Sequence, residues 1–464
     1  MFGSTRAVHF VGVGGSGMSP LAEILLRLGL QVSGSDLCAS PVTARLVSLG
    51  LEFRAGHDAT HVGSVDAVVR STAVPETNPE VAEADRRGLP VVSRGELLAQ
   101  LMRPREGIAV AGAHGKTTTT AMIALALERA GLDPTAVIGG RLPQFGSSAR
   151  VGAGPYLVAE ADESDRSFLL LSPVISVVTN IDREHLESYE SFDDLCRAFE
   201  RFAGGVPFYG AAVLCADDPA VRGIAGRLRR RHTSTYGLDA PDAMLTATDV
   251  SANGFGSRAT VVRRTGSKPD VLGRLTLNVP GRHNVLNALA AIAVADRVGV
   301  TFDRAAAALA EFTGAERRFE RKGEAGGVMV VDDYGHHPTE IAAVLHAARA
   351  SGAPRVICVF QPHRFTRTAT LMADFGPALA LADEIVLTDI YAAGEEPIPG
   401  VTLEALAARV RSAATGDVHV VPALEDIPAH VARIARKGDL VITLGAGSIG
   451  GLGTQVLEAL EACR

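Results

Sequence analysis

Short continuous apolar runs alternate along the chain with longer amphipathic stretches, the pattern of βα units and parallel sheets. The first run, AVHFVGVG, leads into the helix-like SPLAEILLRLG and then into QVSGSD; DAVVRST and LPVVSR read as later strands. The pattern breaks at MRPREG, which predicts a boundary near residue 105. A new unit starts with GIAVAG and runs into the helical KTTTTAMIALALERAG. YLVAEAD, VISVVTNI and AAVLCADD are apolar strands that end in polar residues. From about residue 243 to 279 the runs shorten and Gly, Asn, Lys and Pro separate them, which predicts antiparallel strands at the edge of the domain. Two helical runs, NVLNALAAIAVADRVG and FDRAAAALAEF, close this region before a second boundary at TGAERRFE. GVMVVDDY, PRVICVF, DEIVLTDI, VHVVP and DLVITLG then read as the strands of a third α/β domain. The expected organisation is residues 1–105, 106–313 and 314–464.

Length agrees with that division: at roughly 100–200 residues per domain, 464 residues predict two to four domains. An apolar fraction of 47% and a charged fraction of 21% are ordinary for globular protein. The net charge of −7 gives no reason to expect nucleic acid or an anionic membrane as partner, so anionic ligands would need local sites. Cysteines 38, 196, 215, 358 and 463 are scattered without a CxxC pair and read as reduced thiols. The N-terminus has no basic segment followed by an apolar run, and no charge-free apolar stretch approaches about 18 residues. A cytoplasmic location is expected.

The chain carries two candidate phosphate cradles. Gly12-Val13-Gly14-Gly15-Ser16-Gly17 fits GxGxxG between a strand and a helix. Asp36 follows about 20 residues on, at the end of the second strand. The physics asks only for a diphosphate, which glycines let approach and a helix N-terminus attracts. A nicotinamide cofactor or a nucleotide sugar would serve, and so would a glycine turn that merely packs helix on strand. GAGSIG at 445–450 fits the same pattern, which marks the motif's low specificity.

The second cradle is Gly112-Ala113-His114-Gly115-Lys116-Thr117, between an apolar strand and a long helix. Backbone N–H groups there can surround a β-phosphate, Lys116 can reach a γ-phosphate, and Thr117 can ligate Mg²⁺. It departs from the full GxxxxGK[ST] pattern, because Val110 stands where the first glycine would fall. Magnesium needs further oxygen ligands. AEADESD offers Glu160, Asp162, Glu163 and Asp165, and TNIDREH offers Asn180, Asp182 and His185. Both segments end strands that should face one crevice. Solvated loop charges would explain Asp165 or Glu184; Glu160 directly follows an apolar run and needs a partner.

GVGGSGM, AHGKTTTTAM, EADESD, TNIDREH, GRHNVLNALAA, ERRFE, DDYGHHPTE, FQPHRFTRT and YAAGEEPIPG occur in this order across almost the whole chain. Together they closely resemble the Mur ligases of peptidoglycan synthesis, and among these the alanine-adding members. The resemblance implies an α/β protein of three domains: a Rossmann-like N-terminal domain for the UDP-sugar, a central P-loop ATP-binding domain with a small antiparallel sheet, and a Rossmann-like C-terminal domain for the amino acid. It implies ATP and Mg²⁺, UDP-N-acetylmuramate and L-alanine as substrates, and an acyl phosphate on the lactyl carboxylate. It leaves monomer and homodimer open.

Residue by residue, the resemblance places UDP-sugar on Gly14, Gly15, Ser16, Gly17, Met18 and Asp36. ATP falls to Gly112, Ala113, His114, Gly115, Lys116, Thr117 and Thr118, with His283 and Asn287 at adenine and Arg318 near the nucleotide. Thr117 and Glu160 are expected to hold the first metal and His185 a second. Lys116, His185, His336, Arg364 and Arg367 are the expected catalytic set. His336 is favoured over His337, because adjacent histidines usually point in different directions. Asn284 reads as a helix cap, and Arg364 or Arg367 alone would pass for a surface arginine. Ala113 stands where the family commonly has Thr, and Glu184 and Leu186 where Asp and Met are usual; Arg166 has no role. Two other readings compete: a recycling ligase that attaches a preformed tripeptide to the same nucleotide sugar, and a nicotinamide-dependent dehydrogenase built on GxGxxG and Asp36.

Overall fold

The computed structural model describes residues 3–184, 188–228, 233–264 and 268–462. It is α/β throughout, with one sheet for each of three domains. The first sheet comes from β1 (Ala7–Val11), α1 (Ser19–Arg27), β2 (Gln31–Asp36), α2 (Pro41–Ser48), β3 (Glu52–Ala55), β4 (Ala67–Arg70), α3 (Pro79–Arg86), β5 (Val91–Ser93) and α4 (Arg94–Met102). Its order is β3-β2-β1-β4-β5 and all its pairs are parallel. The order reverses beside β1, so the loop after β1 opens at the switch point where such sheets take ligands.

The second sheet follows from β6 (Glu106–Ala111), α5 (Lys116–Arg129), β7 (Thr135–Leu142), β8 (Ser147–Arg150), β9 (Tyr156–Glu160), β10 (Ile175–Val178), α6 (Phe192–Gly204), β11 (Ala211–Cys215), α7 (Pro219–Arg227) and β12 (Thr233–Tyr236). β13 (Leu245–Asn253), β14 (Gly256–Arg263) and β15 (Asp270–Leu277) extend it, and α8 (Arg282–Arg297) and α9 (Phe302–Ala310) complete the region. The ten strands run β15-β14-β13-β12-β11-β10-β6-β9-β7-β8. Only Gly254 and Phe255 join the neighbours β13 and β14, a connection too short for anything but antiparallel pairing. β7 and β8 at the other edge are also antiparallel.

The third sheet uses β16 (Glu320–Ala325), β17 (Val328–Asp333), α10 (Pro338–Ala350), β18 (Val356–Phe360), α11 (Phe365–Leu379), β19 (Glu384–Leu387), α12 (Leu403–Ala413), β20 (Asp417–Val420), α13 (Ile427–Ile434), β21 (Leu440–Leu444) and α14 (Leu452–Ala462). Its order is β16-β17-β21-β18-β19-β20, parallel except for β16 against β17. The central strands of all three sheets are buried on both faces, which explains why they read as continuous apolar runs rather than alternating ones.

By packing, the chain forms two compact units. One comprises Met1–Thr248, Thr260–Arg274 and Leu286–Leu309; the other comprises Asp249–Ala259, Leu275–Val285 and Ala310–Arg464. In the first, one apolar cluster runs from Val8 and Phe10 through Leu97 and Leu101 to Leu157, Phe168 and Phe199. The first sheet and its neighbour therefore share a core. Buried Glu23 on α1 strengthens the join, accepting from Ser147 Oγ on β8 at 2.7 Å and from Arg45 at 2.9 Å. Among the described residues no helix is long and apolar enough to cross a membrane. Cys38, Cys196, Cys215 and Cys358 are free thiols; Cys463 lies outside the described residues.

Beneath the first loop, Glu80 on α3 is fully buried. It accepts from Ser35 Oγ at 2.5 Å and meets His61 Nδ1 at 2.9 Å and His57 Nδ1 at 3.3 Å. Burial alone would raise its pKa, but the nearby His9 ring and the bonds from Ser35 and His61 outweigh it and bring it down to about 2. That lies below the ordinary carboxylate value of 4.5, so ionised Glu80 stabilises the fold above pH 4.5 and the contribution is lost as pH falls through about 2. Glu80→Gln is therefore expected to lower Tm at pH 7 by at least about 2–4 °C, the shift that a loss of about 1 kcal/mol produces. In calorimetric scans the gap from wild type should narrow as the pH approaches 3; a gap that stays constant would contradict this account of Glu80.

Candidate functional site

Both cradles lie in the first unit. In the first, Gly12 has φ +80° and its N–H donates to Ser35 O at 2.9 Å, which turns the chain sharply out of β1. Gly14 N–H donates to Asp36 Oδ2 at 2.8 Å, and Leu37 N–H binds the other oxygen. Asp36 thus holds the glycine loop in shape. A Cβ on Gly14 would stand 2.9 Å from that carboxylate, so glycine is needed for the approach. Gly15 and Ser16 are exposed, Gly14 and Gly17 half-buried, and Met18 is buried under the start of α1.

The second cradle is held from below by the end of β10. Asn180 Oδ1 accepts from His114 N–H at 2.8 Å, Asn180 Nδ2 donates to His114 O at 2.9 Å, and Thr179 Oγ1 donates to the same oxygen at 2.6 Å. Gly112, at φ +143°, passes so close that a Cβ would lie 2.0 Å from Thr179 Oγ1. Asn287 closes the loop from α8: its Oδ1 accepts from Thr119 at 3.1 Å and sits 2.7 Å from where a Cβ on Gly115 would be. Thr118 is buried behind the loop, and His114 Nε2 meets Asp182 at 3.0 Å.

The chemistry-bearing side chains converge at the start of α5. Lys116 Nζ donates to Gly112 O, to Ala113 O at 3.1 Å, and to Glu163 Oε1 at 2.8 Å. The ammonium is curled back over its own loop in contact with a carboxylate. Burial alone would lower its pKa, but Glu163 and Glu160 together raise it above the usual lysine range. Burial pushes the Glu163 carboxyl up to about 7 against the pull of Lys116. The pair is thus a buried cation with a partner whose own charge is costly. Beside it, Thr117 Oγ1 donates to Glu160 Oε2 at 2.8 Å, and Gly139 N–H donates to the same oxygen at 3.1 Å. A hydroxyl and a carboxylate side by side are the hard oxygen donors magnesium takes, so this pair fits the ion. His185 lies outside the described residues.

The second unit gathers another group. His336 Nδ1 lies 3.1 Å from Tyr334 O, and its ring is 5.7 Å from that of His363. His363 Nδ1 meets Arg367 at 3.1 Å and its ring stacks on Tyr391. Arg364, at φ +70°, lies 3.8 Å from Glu395. His337 is buried and caps α10, accepting from Thr339 N–H, so the two adjacent histidines do part company. Arg318 pairs with Glu340 at 3.5 Å over the Tyr334 ring. Burial, and then the charge of Arg318, pushes His283 down to about 4, which keeps its ring neutral at pH 7. Asn284 stands inside the first turn of α8 rather than before it and donates from Nδ2 to Pro280 O at 2.7 Å, so it is not the expected cap.

The GAGSIG segment is filled by the chain itself. Gln361 Oε1 accepts from Ile449 N–H at 3.0 Å, and Arg317 donates to Gly445 O and to Asp332. A Cβ on Gly447 would meet Gln361 and Tyr391, and one on Gly450 would meet Arg317. Its glycines serve packing. Arg166, without a role in the sequence reading, pairs with Asp194 at 2.9 Å and lies over the Tyr189 ring.

Family models match nearly the full length: "Mur ligase family, catalytic domain" at residues 7–106, "Mur ligase middle domain" at 110–295, and "Mur ligase, glutamate ligase domain" at 317–447. The chain belongs to the Mur ligase family. This Mur ligase is 52% identical to the UDP-N-acetylmuramate–L-alanine ligase of a Geobacter species, with 100% of both chains covered. It is 51% identical to the enzyme of that name from an Anaeromyxobacter species, with 98% of each covered. Among solved structures it is similar to the UDP-N-acetylmuramate–alanine ligase of Thermotoga maritima, with TM-score 0.84, 29% identity and coverage of 99% and 100%. A murein peptide ligase from Psychrobacter arcticus aligns with TM-score 0.73 and 26% identity over 98% and 99%.

The Lys116–Glu163 pair yields a prediction. Glu163→Gln leaves a buried ammonium without its nearest counter-charge, a loss on the order of 3 kcal/mol. The variant's Tm should fall without nucleotide, and ATP should raise it by more than it raises wild type, since phosphate then supplies the missing charge. Thermal scans with and without ATP that give equal shifts for both proteins would contradict the pairing.

Proposed function

We propose that this Mur ligase joins L-alanine to the lactyl carboxylate of UDP-N-acetylmuramate at the expense of ATP, in peptidoglycan precursor synthesis. The observation that carries the reading is identity near one half, over the full length, to relatives bearing that activity in their names. Residues 1–105 are the sugar-nucleotide domain, 106–313 the ATP domain and 314–464 the amino-acid domain. The likeness to a murein peptide ligase keeps a tripeptide acceptor as the second reading, though the alanine ligase aligns with the higher TM-score, 0.84 against 0.73. A dehydrogenase is disfavoured: it leaves Lys116, Thr117 and Glu160 without work, and Asp36 already serves the loop's own amides.

A carboxylate is a poor electrophile, and ATP activates it. The triphosphate lies on the amides of Gly112–Thr118, and Lys116 leaves Glu163 to meet the γ-phosphate. Thr117 and Glu160 would hold Mg²⁺, which when bound would offset the charge on the phosphate oxygens. The sugar nucleotide's diphosphate lies on Gly14–Met18, and its lactyl oxygen attacks the γ-phosphorus. ADP leaves and an acyl phosphate forms. The alanine amine, in its neutral form, then attacks the acyl carbon, phosphate departs with the C–O electron pair, and one amine proton leaves with the phosphate. Asn287, on α8 of the unit that carries the second cradle, meets adenine. His336, Arg364 and Arg367 receive the amino acid, whose carboxylate suits a forked guanidinium. The reaction belongs in the cytoplasm, where ATP and nucleotide sugars are found.

The test is an acceptor profile. With UDP-N-acetylmuramate and ATP present, alanine should drive phosphate release at least about 100-fold faster than the tripeptide, a discrimination that requires the site to reject the larger acceptor. Release with the tripeptide alone would favour the recycling reading and overturn this one.

A further inference from the structure

The two cradles are bridged by one arginine that no family motif quoted above contains. Arg94 is the first residue of α4, and its side chain runs across the glycine loop: a Cβ on Gly17 would stand 2.7 Å from Arg94 Cδ and 3.2 Å from its Nε. The other end of the guanidinium donates from Nη2 to Asp162 Oδ2 at 2.8 Å and lies 3.8 Å from Asp165. Asp162 belongs to the same acidic segment as Glu160 and Glu163. The contact is built in. A Cβ on Gly95 would lie 2.4 Å from Ser167 Cβ, so only glycine lets α4 press this closely on the segment after β9.

A second observation concerns the loop itself. Gly14, Gly15, Met18 and Ser19 spend their N–H groups on Asp36, Gly12 and Gly15. Among the described residues, the Ser16 and Gly17 amides donate to nothing. Two open donors thus sit beside a guanidinium that is only 15% exposed and whose present partner is a carboxylate. A carboxylate and a phosphate offer the same paired oxygens to that fork, and the phosphate group carries charge along with them.

We propose that Arg94 binds the diphosphate of the uridine sugar nucleotide, exchanging Asp162 for it, so that filling the first cradle releases the acidic segment that serves the second. The proposal rests on the sugar-nucleotide reading given above. Arg94 acts by direct contact with substrate, and Asp162 occupies the same side of its guanidinium.

The test compares Arg94→Ala with Asp162→Asn by calorimetric titration of UDP-N-acetylmuramate, UDP and uridine, with ATP binding as a check on the fold. Arg94→Ala should weaken UDP-N-acetylmuramate and UDP by at least about tenfold, the scale of one charge-assisted contact. Uridine and ATP should bind as in wild type to within about twofold. Asp162→Asn removes the same bridge but frees the arginine, so it should bind UDP-N-acetylmuramate as tightly as wild type or a few-fold tighter. If Asp162→Asn loses as much as Arg94→Ala, the arginine acts only as a strut and the proposal fails. It also fails if Arg94→Ala binds UDP normally. Wild type that ignores UDP-N-acetylmuramate would overturn both this proposal and the functional reading, whereas a binding wild type with an unaffected Arg94→Ala overturns the proposal alone.

Discussion

The site in the first unit depends on a buried ammonium that must always have an anion beside it. Lys116 sits at the start of α5, where the loop's geometry and the helix's positive end both favour negative charge. In the structure that charge comes from Glu163 at 2.8 Å. Burial makes ionised Glu163 a costly partner, as its elevated pKa of about 7 records. A bound phosphate would offer that ammonium more negative charge than one costly carboxylate.

The loop keeps its shape because neighbouring strands reach under it. Thr179 and Asn180, at the end of β10, bind His114 by three hydrogen bonds, and Asn287 comes in from α8. Glycine at 112 and 115 is therefore a matter of room as well as of backbone angle. The first cradle follows the same logic with different parts: Asp36 braces Gly14, and Glu80 with its three histidines braces the strand that carries Asp36. In both, a carboxylate or carboxamide from an adjacent strand or helix satisfies polar groups of the loop itself.

What could be read from the sequence was what is local. Gly115-Lys116-Thr117 stood out because a strand, a loop and a helix surround it, and Glu160 because a charge follows an apolar run. The edge strands from 245 onward were legible from their turn residues. Contacts across the fold were not. Arg94 meets Asp162 from 68 residues away, and Asn180 meets His114 from 66, with no spacing rule to announce either. GAGSIG matched a phosphate pattern for the same reason in reverse: Gln361 and Arg317, distant in sequence, fill the space a ligand would need. The parting of His336 from His337 was foreseeable from adjacency, and the capping of α10 explains which one turns inward.

The transfer of the terminal phosphate to the sugar's carboxylate is the step on which the account turns. Its most direct measurement is the single-turnover rate of ADP formation by Lys116→Ala, at saturating ATP and UDP-N-acetylmuramate, beside wild type. Loss of a preorganised charge at the transferring group predicts a fall of at least about 100-fold, with UDP-N-acetylmuramate affinity retained. An unchanged rate would contradict the assignment of the second cradle to catalysis.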